Sequence, residues 1–296
     1  MRAVMSNEIK KIITRALRED IGRKDITSTI ALSLSSKGKA VILARQSGIL
    51  CGLEIAKEAF KQVDASLVFE PFKKDGSSFS KNERIAHVSG NLRSILAAER
   101  VALNFLALLS GVSTSTKKMI VKAKNTRVKI MDTRKTTPCL RALEKYAVAT
   151  GGGHNHRSSL FNGIIIKDNH LRVSGCIVNN KLCEEEVAGL IKRFRDTSPL
   201  PVEIEVENLR EFKGIIKYKP DIILLDNFSL ASLRTAVVIR NKNFPKVLLE
   251  ASGGVNFENV SAVACTGVDF ISVGMLTHSP PAVDFSLEII EVEQCG

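Results

Sequence analysis

The chain has no tryptophan, 2 tyrosines and 13 phenylalanines, and aromatic residues make up only 5% of its 296 positions. Single-stranded nucleic acids are held on aromatic stacking platforms, and there is little here to build them from. The net charge of +12 would suit a polyanion. Yet the basic residues are spread along the whole chain, with no tail of Lys and Arg alone. Nucleic-acid binding is therefore not the expected role, and the charge is read in part as serving small anionic substrates. The six cysteines (Cys51, Cys139, Cys176, Cys183, Cys265 and Cys295) include no Cys-x-x-Cys pair and no finger-like spacing to histidine. Neither structural zinc nor a disulfide framework is indicated, and reduced thiols are expected. Met1 to Asp20 lacks the uninterrupted apolar core of a signal peptide, and no run is expected to reach bilayer length. The expectation is a soluble, cytoplasmic protein with neither membrane nor nucleic acid as partner.

What is present is a cluster. Met131-Asp132-Thr133-Arg134-Lys135-Thr136-Thr137-Pro138 is followed by Gly151-Gly152-Gly153-His154-Asn155-His156-Arg157 and by Ile166-Lys167-Asp168-Asn169-His170. The cations sit in turn-like segments after short apolar runs, not on helical spacing interleaved with Glu. Like charges held together in a desolvated cleft repel strongly unless an anion neutralises them. The pattern predicts a pocket for a small ligand carrying several negative charges.

The length suits one large α/β domain with a smaller companion. Residues 8–18 read as an amphipathic helix, with Ile9, Ile12, Ile13 and Leu17 on one stripe. Strand-like runs and a helix around Glu54–Val63 follow in irregular order, predicting a small α+β domain over residues 1–110. A long helix from Leu92 to Leu109 leads out of it, with Gly111 as its stop signal. Residues 111–296 have another rhythm. Short β-branched runs recur at Val128–Met131, Gly163–Ile166, Val202–Val206, Ile222–Leu225, Val247–Leu249 and Phe270–Val273, the later ones alternating with helical segments. This predicts βα units of a parallel barrel with about six countable strands.

Each strand-like run ends in a polar group, which is where barrel active sites lie. Ser252-Gly253-Gly254 and Gly274 follow the last two runs and would admit a phosphate to backbone N–H groups. Glu205 and Asp226, at successive strand ends, suit Mg²⁺ or ribose hydroxyls. Glu203 and Glu207 bracket Glu205 at period two, and whether they share its face depends on the strand being free of a bulge. His154, His156 and His170 form no zinc site on paper, since no third Cys or carboxylate ligand is evident and Arg157 and Lys167 would repel a cation.

These motifs, with Asp25-Ile26-Thr27, Ala98-Glu99-Arg100, Asn104-Phe105-Leu106, Glu-Val-Glu at 205–207, Leu-Leu-Asp-Asn-Phe at 224–228, Glu-Ala-Ser-Gly-Gly-Val at 250–255 and Leu-Thr-His-Ser at 276–279, occur in order along the chain. Together they resemble the quinolinate phosphoribosyltransferase family. The resemblance implies a small N-terminal α/β sandwich domain packed on an incomplete, about seven-stranded α/β barrel, and a homodimer with shared active sites. It implies phosphoribosyl transfer from phosphoribosyl pyrophosphate to quinolinate with decarboxylation, in de novo NAD synthesis. By motif, Arg134, His156, Arg157 and Lys167, with the neighbouring Thr133, would bind quinolinate, and Arg100 would reach in from the partner subunit. Lys135, Glu205, Asp226 and His278 would hold the phosphoribosyl pyrophosphate with its Mg²⁺, with Lys135, Glu205 and Asp226 as the catalytic groups. Ser252, Gly253, Gly254 and Gly274 would cradle the 5′-phosphate. Two positions depart from the pattern: Cys139 and Lys24 stand where the family often has Gly. A nicotinate-specific relative, a related protein associated with molybdenum transport genes, and a non-catalytic sensor of phosphorylated pyridines are the alternatives.

Overall fold

The computed structural model describes residues 5–123, 127–179 and 181–293; Cys295 lies outside them. Two compact units are formed. One comprises residues 1–117, 137–152 and 279–296, the other residues 118–136 and 153–278.

In the first unit, helix α1 (Asn7–Ile21) starts where the Ser6 hydroxyl accepts the Ile9 N–H, and it buries Ile9, Ile13 and Leu17 at intervals of four. That is the spacing of one helical face. Helix α2 (Ile26–Ala31) is capped by Asp25, whose carboxylate accepts the Ser28 N–H. Strands β1 (Lys37–Ala44), β2 (Gly48–Ile49), β3 (Val68–Pro71), β4 (Ser78–Phe79) and β5 (Arg84–Asn91) surround helix α3 (Leu53–Val63) in sequence. The main sheet is antiparallel, with β1 between β5 and the C-terminal strand Phe285–Val292, and β3 beyond β5. Ala40, Ile42, Ile85, Ala86, Val88, Ile55 and Phe60 are buried in its core. The expected boundary after residue 110 falls inside helix α4 (Leu92–Lys122), which runs well past the predicted end at Gly111. Gly111 is there for close packing and not as a stop: a Cβ would lie 2.3 Å from the Pro281 carbonyl oxygen. By length and composition α4 could cross a membrane, contrary to the sequence reading. However, 61% of its most apolar stretch is buried within the protein, as in a core helix.

The second unit is built on strands β6 (Lys129–Met131), β7 (Ile164–Ile166), β10 (Val202–Val206), β11 (Ile222–Asp226), β12 (Leu248–Ser252) and β13 (Phe270–Ser272), with the hairpin β8 (Ile177–Val178) and β9 (Lys181–Leu182) between. Helix α5 (Arg141–Thr150) belongs to the first unit. Helices α6 (Asp168–Val173), α7 (Glu184–Thr197), α8 (Leu209–Ile215), α9 (Leu230–Asn243), α10 (Val260–Ala264) and α11 (Met275–His278) alternate with the barrel strands. The six strands pair in parallel in the order β6-β13-β12-β11-β10-β7. On the free side of β6, Met131 forms a single parallel bridge with His154. Six strands and one bridge thus fill seven positions, and among the described residues no ladder joins the bridge to β7. The mixed α/β architecture and incomplete barrel agree with expectation.

Candidate active site

Side chains of a strand alternate between its faces, and here one face of β7, β10, β11, β12 and β13, with the loop after β6, lines a single cleft of about 580 Å³. Ile165 and Lys167 come from β7 and its end, Glu205 from β10, Leu224 and Asp226 from β11, Glu250 and Ser252 from β12, and Ser272 and Gly274 from β13. The mouth lies at the carboxyl ends, as barrel topology requires.

One wall is cationic. Beyond β6 the chain turns so that the Thr133 hydroxyl accepts the Lys135 N–H at 3.0 Å, and the Thr277 hydroxyl donates to the Lys135 carbonyl at 2.7 Å. Arg134, Lys135 and Arg157 are thereby placed on the cleft with Lys167. Arg157 donates from Nη1 to the Gly163 carbonyl at 2.9 Å. The Nε atoms of Arg134 and Arg157 are buried and have no hydrogen-bond partner within the protein. Burial, then the charge of Arg134, lowers the Arg157 pKa, and Glu203 opposes them. Two guanidinium groups on one cleft, each with an unanswered donor, suit an anionic ligand.

The floor is acidic. Glu203 is buried on β10 two positions before Glu205, whereas Glu207 is exposed and outside the strand. The strand has no bulge, so 203 and 205 share a face, one deeper than the other. His156 lies between buried carboxylates: Nε2 is 3.2 Å from Glu203 Oε2 and 3.6 Å from Glu250 Oε2. Ser272 donates to the other Glu250 oxygen. Burial works against a charged imidazole and the two glutamates favour one; Nδ1, which accepts the Arg157 N–H, keeps the ring neutral with its one proton on Nε2. Burial pushes the Glu203 carboxyl upward, with His156 opposing and Glu250 assisting.

His156, Glu203 and Glu250 are also the one group of three potential metal ligands among the described residues. The other ring nitrogen decides against a metal. His156 Nδ1 accepts the Arg157 N–H at 2.7 Å, so the ring proton sits on Nε2, facing the carboxylates, where a metal would have to bind. His154 is exposed, and His170 Nδ1 accepts the Lys167 N–H at 2.9 Å, so these two do not join the group.

The last two strand ends close the site. Gly253 follows Ser252 with φ +91°, and a Cβ there would lie 2.2 Å from Asn227 Oδ1. Asn227 itself donates from Nδ2 to Asp226 at 2.8 Å and from its backbone N–H to the Ser252 carbonyl at 2.9 Å. Gly254, Gly274 and His278 complete that end.

Thr133, Arg134, Lys135, His156, Arg157, Lys167, Glu205, Asp226, Ser252, Gly253, Gly254, Gly274 and His278 therefore line one cleft. Arg100 does not: it lies on α4 in the first unit, its side chain 62% exposed and 3.8 Å from Glu99. Ile165 and Leu224, the apolar steps of the cleft, carry no polar signal that sequence reasoning could have caught. Glu250 could have been assigned by counting two residues back from Ser252.

A parallel α/β barrel with guanidinium donors, paired carboxylates and a glycine loop at its strand ends is the architecture of a barrel-type phosphoribosyltransferase. Models of the quinolinate phosphoribosyl transferase N-terminal and C-terminal domains match residues 25–110 and 112–288. The probable nicotinate-nucleotide pyrophosphorylase [carboxylating] of Bacillus subtilis is 37% identical over 97% of both chains. Its Synechocystis counterpart is 38% identical over 93% of this chain and 90% of the other. The solved nicotinate-nucleotide pyrophosphorylase of Francisella tularensis superposes with a TM-score of 0.86 at 38% identity, covering 97% of this chain and 96% of that one. Human nicotinic acid phosphoribosyltransferase shares the fold alone, with a TM-score of 0.61 at 11% identity, over 97% of this chain and 74% of that one. The chain belongs to the quinolinate phosphoribosyltransferase family.

Proposed function

We propose that the protein transfers the phosphoribosyl group of phosphoribosyl pyrophosphate to the ring nitrogen of quinolinate, releasing pyrophosphate and CO₂ and leaving nicotinate mononucleotide for NAD synthesis. The observation that carries this reading is the pair of buried, unpartnered Nε donors on Arg134 and Arg157 beside Lys167. Planar guanidinium forks match carboxylates two bonds at a time. A dicarboxylate answers both, and a monocarboxylate leaves one donor unpaired in a buried place.

Beside that wall, Glu205 and Asp226 line the same cleft, where ribose would lie. Departure of pyrophosphate leaves positive charge at the ribose C1, which nearby carboxylates stabilise. Lys135, His278 and the Ser252–Gly254 loop supply charge and N–H groups for the phosphates. Once the ring nitrogen carries ribose, its positive charge stabilises the electron pair left on the adjacent ring carbon as the carboxylate departs as CO₂, and a proton from solvent then takes the place of the lost group on that carbon. Placement and charge neutralisation do the work, without a covalent nucleophile.

Glu205 and Asp226 are also the residues that would hold Mg²⁺. Two carboxylates at an open mouth fit an ion that keeps most of its shell as water and substrate phosphate oxygens. When bound, the ion neutralises the pyrophosphate as it departs. Arg100, exposed on α4, is proposed to reach the cleft of a partner subunit, making a homodimer with shared sites. The cytoplasm is the proposed compartment.

The test is a direct assay: purified protein with phosphoribosyl pyrophosphate, Mg²⁺ and either quinolinate or nicotinate, following mononucleotide and CO₂. Turnover of quinolinate alone is expected. Product from nicotinate would move the reading to the monocarboxylate enzyme. For the shared site, Arg100→Ala and Arg134→Ala are each expected to be nearly inactive and to recover partly when mixed. No recovery despite subunit exchange would remove Arg100 from the partner's pocket.

A further inference from the structure

Both ring nitrogens of His156 are engaged by the protein itself. Nδ1 accepts the Arg157 N–H at 2.7 Å, and Nε2 faces Glu203 at 3.2 Å and Glu250 at 3.6 Å. Its backbone N–H donates to Asp132 Oδ1 at 2.9 Å, and Asp132 is fully buried. For the imidazole to donate to a substrate carboxylate, it would have to turn away from two buried glutamates. That strips a partner from charges that water cannot reach, a larger penalty than one new hydrogen bond returns.

The same contacts do something else. The segment from Gly153 to Gly163 contains no helix and only the single bridge at His154. Three strands nonetheless reach into it: β6 through Asp132 just past its end, β10 through Glu203 and β12 through Glu250, while β13 braces the last of these through Ser272, which donates to Glu250. All converge on His156, and the next residue is Arg157, whose backbone N–H is the group that Nδ1 holds. The guanidinium of Arg157 then has one fixed route, along the Gly163 carbonyl into the cleft. A carboxylate-binding fork on an irregular loop gains its precision from the shell that supports it.

Resting on the quinolinate reading above, we propose that His156, Glu203 and Glu250 are positioning residues that hold Arg157 in register for the substrate's carboxylates. Recognition itself then falls to Arg134, Arg157 and Lys167. Ser272 acts one step further back, by fixing Glu250.

A double-mutant cycle tests this with the full-length enzyme. Wild type is assayed first with quinolinate and nicotinate, which settles the substrate reading independently. Glu250→Gln and the milder Ser272→Ala are then made alone and in an Arg157→Lys background. Glu250→Gln is expected to raise the KM for quinolinate about tenfold and Ser272→Ala about threefold, with the KM for phosphoribosyl pyrophosphate changed less than about twofold. In the Arg157→Lys background either change should add less than about twofold, because residues acting as one unit are not additive. Should Glu250→Gln not fold, Ser272→Ala carries the same test. Multiplying effects, an equal rise in both KM values, or no effect of either variant would overturn the proposal. So would a fall in the quinolinate KM, which would mean that a freed imidazole binds the substrate directly.

Discussion

Lys167 Nζ lies 2.9 Å from Glu205 Oε2, so a cation assigned to quinolinate is held by a carboxylate assigned to ribose. The Lys167 side chain is 48% exposed and that of Glu205 12%, so water screens the pair from the lysine side only. A dianion can open it. Glu205→Gln should therefore leave the KM for quinolinate unchanged or lower, while kcat falls by about tenfold or more as the ribose loses its stabilising charge. Steady-state kinetics decide: a raised KM with kcat preserved would place Glu205 in binding and not in the transition state.

Gly253 has no room for a side chain. An added Cβ would press on Asn227 Oδ1 and lie 2.8 Å from the Asn227 backbone nitrogen, on a backbone with φ +91°. Gly253→Ala must displace the Asp226–Asn227 corner. The KM for phosphoribosyl pyrophosphate is expected to rise about tenfold or more, with quinolinate binding to the free enzyme within about twofold of wild type. Calorimetric titration of quinolinate provides the second reading.

Cys139 sits at φ +66°, in the left-handed region where a side chain is strained. At that φ a residue other than Gly costs of order 1 kcal/mol. Cys139→Gly should raise stability by up to about 1 kcal/mol, offset in part by the freer unfolded chain. Cys139→Val should lower it, since branching at Cβ worsens the strain. Paired denaturant melts of the two variants give the sign.

Asp75 gathers three donors: the N–H groups of Gly52 and Leu53 at the start of α3, at 2.9 and 3.1 Å, and the Tyr146 hydroxyl at 2.8 Å. Asp75→Ala removes a helix cap and leaves a half-buried phenol without its partner. A loss of about 2–3 kcal/mol is expected, against about 1 kcal/mol for Tyr146→Phe. Equal losses from the two changes would show the cap contributes nothing.

The thiols should separate cleanly. Burial, and then the charge of Asp75, pushes the Cys51 thiol up to about 12. It will remain unmodified by iodoacetamide at pH 8 in the folded protein, while exposed Cys139 is alkylated. Peptide mapping before and after unfolding distinguishes them, and early modification of Cys51 would show that the α3 region opens readily.

Much of this architecture is legible in the chain. Val202–Val206 is the same five residues as sequence and as strand, because a β-branched run between two turns leaves little choice. The strand ends were readable too, since polar residues closing apolar runs mark the mouth of a barrel. What escaped was set by distant partners. Gly111 reads as a helix end until Pro281 is known to press against it. Phe285–Val292 alternates apolar and polar residues over its first five positions, but which strand it would join, β1 some two hundred and fifty positions earlier, is not written in it. In the site, the fold explains why Glu203 and Glu250 sit beneath the cleft. A sequence places them only two positions behind more conspicuous neighbours.

That C-terminal strand has a consequence for how the protein is made. Gly38 pairs with Val292 and Ala44 with Phe285, so contacts that complete the first sheet join residues some two hundred and fifty positions apart. On the ribosome the first unit would wait, with one edge of β1 bare, until nearly the whole polypeptide has emerged. A message truncated shortly before residue 285 would spare every residue of the cleft and still deliver a protein with an open edge, a substrate for chaperones and proteases before it is ever an enzyme.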